Sequence, residues 1–542
     1  MLLMDANTAL LLLLLFPVVV VYLRPRRAPA ATSANHCPHP NPILGNAVPL
    51  LRNLHRFLDW ATDLLAAAPA STIEVRGVLG LGAGVATACP DDVDHLLRAN
   101  FPNYVKGARF AVPFADLLGH GGLFLADGRL WSLQRKLASY SFSSRSLRRF
   151  SARVLRAHLH ARLLPFLDAA AAGAGSGEVV DLQDALRRFA FDNMCGVAFG
   201  VESSTLLDAG RRQEEFFAAF DDAVEISFAR LLHPTTLLWR AMRLTGVGRE
   251  RRMRQAVATV DEYVMAMIDQ AEQPRQPRDE LLLSRFAAAV DGEEPTELGE
   301  MFRSPEAKRR FLRDVVVSFV LAGKDTTSSA LTWFFWLLAA NPRCERRVYQ
   351  EVATTMASSS TCCPGDEDEE HYDDYYYEEL KGMHYLHAAL TEAMRLYPPV
   401  PINSRVAAAA DVLPDGTAVG AGWFADYSAY AMGRMPRLWG PRCREFLPER
   451  WLTGDGGEFV AADAVRYPVF HAGPRMCLGK EMAYVQMKAV AAAVVRRFKV
   501  ETVPAAASMD APPPYEMAVT LRMKGGLRVR IRRREDDDGD PI

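Results

Sequence analysis

The sequence is poor in cysteine. There are 8 in 542 residues, at positions 37, 89, 195, 344, 362, 363, 443 and 477, with neither C-x-x-C pairs nor a disulfide framework. This spacing excludes a disulfide scaffold and argues against structural zinc. The tightest Cys/His cluster, His36-Cys37-Pro38-His39, has the wrong spacing for one zinc site and reads as proline-rich linker. Charge of one sign is also lacking: 63 Lys and Arg face 65 Asp and Glu, a net of -2. Without a global positive field, binding to nucleic acid is not expected. Repeats of roughly 20–50 residues are absent. Gly80-Leu81-Gly82-Ala83-Gly84-Val85 misses the third glycine of a dinucleotide loop, because Val85 stands there, and this removes a Rossmann reading.

The N-terminus is informative. Thr8 to Leu23 carries no charge and is followed by Arg24, Arg26 and Arg27. As a helix rising ~1.5 Å per residue it spans about 24 Å, and Ala6 and Asn7 extend it toward the ~30 Å hydrocarbon core. The basic residues follow the apolar run and no A-x-A site closes it, so residues 1–24 read as a retained membrane anchor, not a cleaved signal peptide. The positive-inside rule then places everything after them in the cytosol. Residues 25–46 form a basic, proline-rich hinge whose Pro38, Pro40 and Pro42 favour a stiff extended connector.

Beyond the hinge, glycines and β-favouring residues between Thr72 and Ala88 predict a small hairpin. Helical periodicity dominates from Asp91 to about Val400, and Pro414-Asp415-Gly416 marks a turn in a second strand region. The fold class is therefore mainly α with small β-sheets, over a catalytic body of residues 47–531. Residues 358–379 read as a disordered insertion, with nine acids among the fourteen residues Asp366 to Glu379. The charged tail 532–542 reads as a solvated end.

The chemistry is concentrated in Phe470-His471-Ala472-Gly473-Pro474-Arg475-Met476-Cys477-Leu478-Gly479. A thiolate that binds haem iron needs a loop able to wrap the sulfur and donate N–H groups to it. Gly473 and Gly479 permit tight turns, Arg475 stands where a cation could meet a haem propionate, and Phe470 can pack beneath the sulfur. A cysteine between glycines is more often structural, but here F-x-x-G-x-R-x-C-x-G is complete.

The loop resembles the haem-binding signature of cytochromes P450, and the other motifs of that family follow in order. Glu392-Ala393-Met394-Arg395 resembles its E-x-x-R, and Pro448-Glu449-Arg450-Trp451 its P-E-R-F, with tryptophan replacing phenylalanine. The resemblance gives Glu392, Arg395 and Arg450 a structural role on the haem side. Ala322-Gly323-Lys324-Asp325-Thr326-Thr327 resembles the oxygen-activating A-G-x-D-T-T. Dioxygen reduction consumes protons that must arrive without flooding the site; the resemblance assigns the hydroxyl to Thr326, the carboxylate relay to Asp325 and the small-residue gap to Ala322. Trp131 and Arg135, four apart on one helical face, resemble the pair that donates to a propionate.

The resemblance implies one triangular, mostly helical domain after a single transmembrane helix in the endoplasmic reticulum membrane. It also implies haem b with an axial thiolate from Cys477, O2 as co-substrate, and electrons from NADPH through cytochrome P450 reductase. Arg135, Lys136, Arg475, Lys480 and Lys488 are candidates for the reductase-docking surface. Sequence around Pro102 to Gly121, Gln134 to Ser139 and Phe470 to Gln486 looks most like plant fatty-acid ω-hydroxylases, some of which oxidise jasmonate–amino-acid conjugates. Expected pocket residues are Phe110, Phe114, Leu118, Phe124, Phe319, Val400 and Ile402, each equally suited to core. Arg109 and Arg405 are candidates for a substrate carboxylate. A haem-binding sensor without turnover is the alternative of another class, and a proton relay is superfluous to it.

Overall fold

The computed structural model describes residues 35–534 except 39, 42, 79–81, 144, 174–177, 233–235, 272–280, 293–295, 360–368, 455–456 and 505–511. The helices that frame the site are, in chain order, α1 (Gly107–Leu118), α2 (Gly128–Ser143), α3 (Leu182–Met194), α4 (Arg211–Leu232), α5 (Arg249–Ala271), α6 (Pro305–Ala340), α7 (Pro342–Ser359), α8 (Glu369–Gly382), α9 (His384–Leu396) and α10 (Lys480–Arg497). The strands are β1 (Thr72–Val75), β2 (Gly84–Thr87), β3 (Tyr104–Val105), β4 (Val180–Asp181), β5 (Ile402–Ala407), β6 (Asp411–Val412), β7 (Ala418–Val419), β8 (Phe424–Ser428), β9 (Phe498–Thr502), β10 (Tyr515–Met517), β11 (Leu521–Met523) and β12 (Arg528–Arg533). They form a five-stranded sheet in the order β1-β2-β8-β5-β3 and three smaller sheets. The expected hairpin is β1 and β2, paired antiparallel from Thr72 opposite Thr87 to Val75 opposite Gly84. The Pro-Asp-Gly turn joins β6 to β7, with Gly416 at φ +89°.

Helix α6 organises the molecule. Ser304 caps it by accepting from the Ala307 amide, and Pro305 occupies its first turn, where a missing N–H costs nothing. It is apolar almost all round, as a central buried helix must be. Its first half, through Leu321, packs in one core cluster with α1, α4 and α5. Its second half, from Ala330, packs in another with α9 and α10. The polar stretch Ala322–Ser329 lies between those clusters, and there α6 runs so close to α3 that a Cβ on Gly323 would collide with the Met194 side chain.

Residues 369–379 of the expected insertion are helical. Residues 360–368 lie outside the described ones, but α8 begins at Glu369. Tertiary contacts override its acidic composition: Leu380 is buried, Tyr376 packs on the main core, and Lys488 of α10 donates to the Leu380 carbonyl at 2.6 Å. Among the described residues no helix is long and apolar enough to cross a membrane. The expected anchor, residues 1–24, lies outside them, as does the tail from residue 535 onward.

Candidate active site

The cysteine loop is shaped from its own backbone. Gly473 has φ +65°, and a Cβ there would run into the Leu97 carbonyl, so glycine is required. His471 takes φ +62° without being glycine, a strained conformation worth on the order of 1–3 kcal/mol. The Cys477 amide donates to the Phe470 carbonyl at 2.9 Å, closing the loop, and the Phe470 ring packs at 5.4 Å from Tyr484. Gly479 differs from expectation: its φ is -85° and its Cβ position is unobstructed, so no turn demands glycine. Its contribution is its amide, which hydrogen-bonds to the Cys477 sulfur. Burial pushes the thiol up, whereas that amide, Arg135 and Lys480 favour the thiolate. Of the six described cysteines Cys477 has the most accessible surface even though protein crowds its sulfur; Cys195, Cys344 and Cys443 are buried.

Beside the loop lies a concentration of cations. Trp131 and Arg135 share one face of α2. The Arg475 guanidinium lies over the Trp131 ring at 4.3 Å, and Arg135 donates to the Met476 carbonyl at 2.5 Å. Arg475 also donates to Asp127 at 2.5 Å, yet burial and Arg405 push it down to about 10. Burial, Arg405 and Arg475 hold Lys106 far below the usual lysine range, and burial with these cations keeps the His471 imidazole neutral. Asp127, the carboxylate facing them, already accepts from the Lys106 and Gly107 amides. Among the described residues, Arg405 Nε and Nη2, Arg475 Nε and the Tyr427 hydroxyl are buried without hydrogen-bond partners. Orphaned donors in a cation-rich pocket call for an anionic ligand.

Further along, Glu392 and Arg395 form a fully buried bidentate pair, with both bonds at 2.7 Å. Arg395 also donates to the carbonyls of Gly433, Cys443 and Glu445. Glu392 further accepts from the Leu447 amide at 3.0 Å, Arg450 at 3.4 Å and the Trp451 indole at 2.8 Å.

On α6, the Thr326 hydroxyl donates to the Ala322 carbonyl at 2.6 Å, and both residues are only half-buried. Asp325 turns away into the protein, 2.9 Å from Lys324, 3.4 Å from Arg522 and 3.6 Å from Arg187. Burial opposes its ionisation, but Lys324, Arg522 and Arg187 outweigh it and bring the carboxyl below its usual value.

The family model for cytochrome P450 matches residues 38–526 of this chain. The chain belongs to the cytochrome P450 family. Similar proteins are found in plants. Cytochrome P450 CYP94D108 of Paris polyphylla is 43% identical over 90% of each chain. Cytochrome P450 94A2 of Vicia sativa is 40% identical over 94% of each, and cytochrome P450 94B1 of Arabidopsis thaliana is 39% identical over 97% of this chain and 98% of its own. The plant resemblance read from the motif flanks is borne out, and the protein is a monooxygenase.

The cofactor of a cytochrome P450 is haem with an axial thiolate, reduced by NADPH through a reductase. The residues present fit it: Cys477 would ligate the iron, and the orphaned donors of Arg405, Arg475 and Tyr427, with Lys106, Arg135 and Trp131, would hold two propionates. Lys106 and Tyr427 were not legible as site residues, because they come from separate elements with no shared local pattern; His471 lies inside the cysteine motif but at one of its unspecified positions. Arg405 is fully buried beside Lys106 and Arg475, away from an entrance where a substrate carboxylate would be met. Arg109 is stacked on Phe424 at 3.7 Å and lies 3.8 Å from Asp426.

Other expectations need revision. Phe114, Leu118 and Phe319 are buried core, packed where α1 meets α6, because their helical spacing turns them inward. Phe110, Phe124, Val400 and Ile402 keep partial exposure. Lys488 is buried and bonded to a carbonyl, and Arg475 is buried as well, so neither offers charge to a reductase; Lys136 remains exposed.

The tryptophan in place of phenylalanine at 451 has a defined task, since its indole satisfies one oxygen of the buried Glu392. Trp451→Phe should therefore cost about 1–3 kcal/mol, the penalty of an unmade bond to a buried charge. Denaturant unfolding should show a lower midpoint at unchanged slope, and an unshifted midpoint would remove the indole from the network.

Proposed function

We propose that this cytochrome P450 hydroxylates the terminal carbon of a fatty acid, as a single-pass protein anchored in the endoplasmic reticulum membrane by residues 1–24, with its body, residues 47–531, in the cytosol. The observation that carries the reading is the half-open turn Ala322–Thr326 in the otherwise buried stretch 311–338 of α6, at the meeting of two apolar cores. Apolar, partly exposed Phe110, Phe124, Val400 and Ile402 supply surfaces suited to an alkyl chain. The sequence resemblance to plant fatty-acid ω-hydroxylases favours a lipid-like substrate over a hydrophilic one.

Haem, when bound, supplies the activation of dioxygen. The chain supplies position and protons. A terminal methyl has a stronger C–H bond than the methylenes beside it, so the pocket must hold the chain end and exclude its neighbours. Thr326 would hold a proton at its Oγ1 on the open face of α6, and Asp325 would replenish it from the buried side. Phe470, Gly473 and Gly479 would fix the Cys477 sulfur, while Glu392, Arg395 and Arg450 hold the surrounding loops.

The test is turnover with reductase, NADPH and a panel of fatty acids and jasmonate–amino-acid conjugates. Terminal hydroxylation of a fatty acid is the expected product; turnover of the conjugates alone would replace the substrate assignment, and no product from any member would overturn it. Thr326→Ala should keep the thiolate band of the reduced carbon monoxide spectrum. Its product formed per NADPH should fall by about 10- to 100-fold, toward the scale of a lost proton donor. Unchanged coupling would remove Thr326 from proton delivery.

A further inference from the structure

Asp325 does not stand alone with its cations. Asp221, on α4, meets all three: Arg187 at 2.6 Å, Arg522 at 2.9 Å and Lys324 at 3.3 Å. The cluster draws on four elements, with Arg187 from α3, Asp221 from α4, Lys324 and Asp325 from α6, and Arg522 from β11. The rings of Phe217 and Phe220 close over the Lys324 ammonium at 5.2 and 5.1 Å. The side chains of Lys324 and Asp325 are 0% and 1% exposed, whereas that of Asp221 is 28% exposed. Asp221 is therefore the carboxylate of the pair that meets solvent.

We propose that Asp221 is a positioning residue for proton delivery: it shares Arg187, Lys324 and Arg522 with Asp325 and so sets how tightly Asp325 is held. This rests on the assignment of Asp325 as relay given above. Three cations facing two carboxylates leave one net positive charge; without Asp221 the net rises to two and all three cations bear on Asp325 alone. In a site withdrawn from water such a change is felt strongly. A carboxylate gripped by unshared cations stays ionised, takes up protons poorly and so has none to pass on. Because Asp221 belongs to α4, any displacement of that helix redistributes the same cations and is transmitted to Asp325.

The groups facing Asp325 are thus Arg187, Asp221, Arg522 and Lys324, with Glu516 of β10 acting on Arg522. Asp221→Asn adds net positive charge and should hold Asp325 ionised to lower pH. Arg187→Gln removes one and should do the reverse. The pair combined restores the original net charge.

The experiment measures product per NADPH against pH in the full-length holoenzyme for Asp221→Asn, Arg187→Gln, the double variant and Asp325→Asn. Solvent deuterium isotope effects and the spectral decay of the oxygenated, reduced protein are followed in parallel. Asp221→Asn should keep the thiolate band and lose about tenfold in coupling, less than the ~100-fold lower bound for a lost acid–base group. Its coupling limb should move to lower pH, that of Arg187→Gln to higher pH, and the double variant should return toward wild type. If Asp221→Asn does not take up haem, the sign of the Arg187→Gln displacement decides the matter. Wild-type coupling, isotope effect and spectral decay in Asp221→Asn, with Asp325→Asn uncoupled, would overturn this proposal alone. Wild-type behaviour in Asp325→Asn would overturn the relay assignment and this proposal with it.

Discussion

Cys477→Ala is expected to abolish the thiolate band of the reduced carbon monoxide spectrum and all product formation. The loop should survive the change, because what shapes it is elsewhere: the left-handed Gly473 against the Leu97 carbonyl, the bond from the residue 477 amide to the Phe470 carbonyl, and Arg135 on the Met476 carbonyl. Circular dichroism and the unfolding midpoint of the haem-free protein should therefore match wild type. The cations beside the loop are untouched, so some haem can still be drawn in by its propionates and will lack the thiolate signature. Cys195, Cys344 and Cys443 cannot stand in, since all three are buried and burial holds the Cys195 thiol well above its usual range. A thiolate band retained in Cys477→Ala would move the ligand to another residue.

That loop was legible in the sequence because its chemistry is local: donor amides, a permissive glycine and a ligand fit within ten residues. The cation cluster that would hold the propionates is built the opposite way. Lys106 comes from the start of α1, Arg405 from β5, Tyr427 from β8 and His471 from the loop, and only the antiparallel pairing of β5 with β8 brings the strand residues together. Arg405 read from sequence as a cation for a substrate carboxylate near the entrance; it is fully buried within the sheet. Apolar residues pose a different difficulty, since a pocket wall and a core wall have the same composition. Phe114 and Phe110 are four apart on α1 and stack at 4.6 Å, yet one is fully buried and the other is not. Charge was the least faithful guide. The acidic start of α8 is ordered through Leu380 and Tyr376, and Lys488, which composition would send to the surface, is buried against that helix with its ammonium pushed down to about 8.

Arg395→Leu should prevent accumulation of haem-loaded protein altogether. Removing one partner of a buried ion pair costs about 3–5 kcal/mol, a large share of the ~5–15 kcal/mol that separates folded from unfolded chains. Here the cost has two parts. Glu392 would be left as a buried anion, still fixed by Leu447, Arg450 and Trp451, and the carbonyls of Gly433, Cys443 and Glu445 would lose their donor. Arg395→Lys should recover little, because an ammonium cannot supply the planar fork that meets both carboxylate oxygens and the three carbonyls together. Replacing the pair with two apolar residues, which can be harmless for an isolated buried ion pair, should fail here as well: the carbonyls, the Trp451 indole and Arg450 would all remain unsatisfied. A double-mutant cycle on Glu392→Gln and Arg395→Leu, read by denaturant unfolding and by yield of the thiolate band, separates the two parts. Full recovery in an apolar double variant would show that the pair satisfies only itself; a deficit persisting near that of Arg395→Leu would show that the arginine's chief task is to hold together the loops running from Gly433 to Arg450.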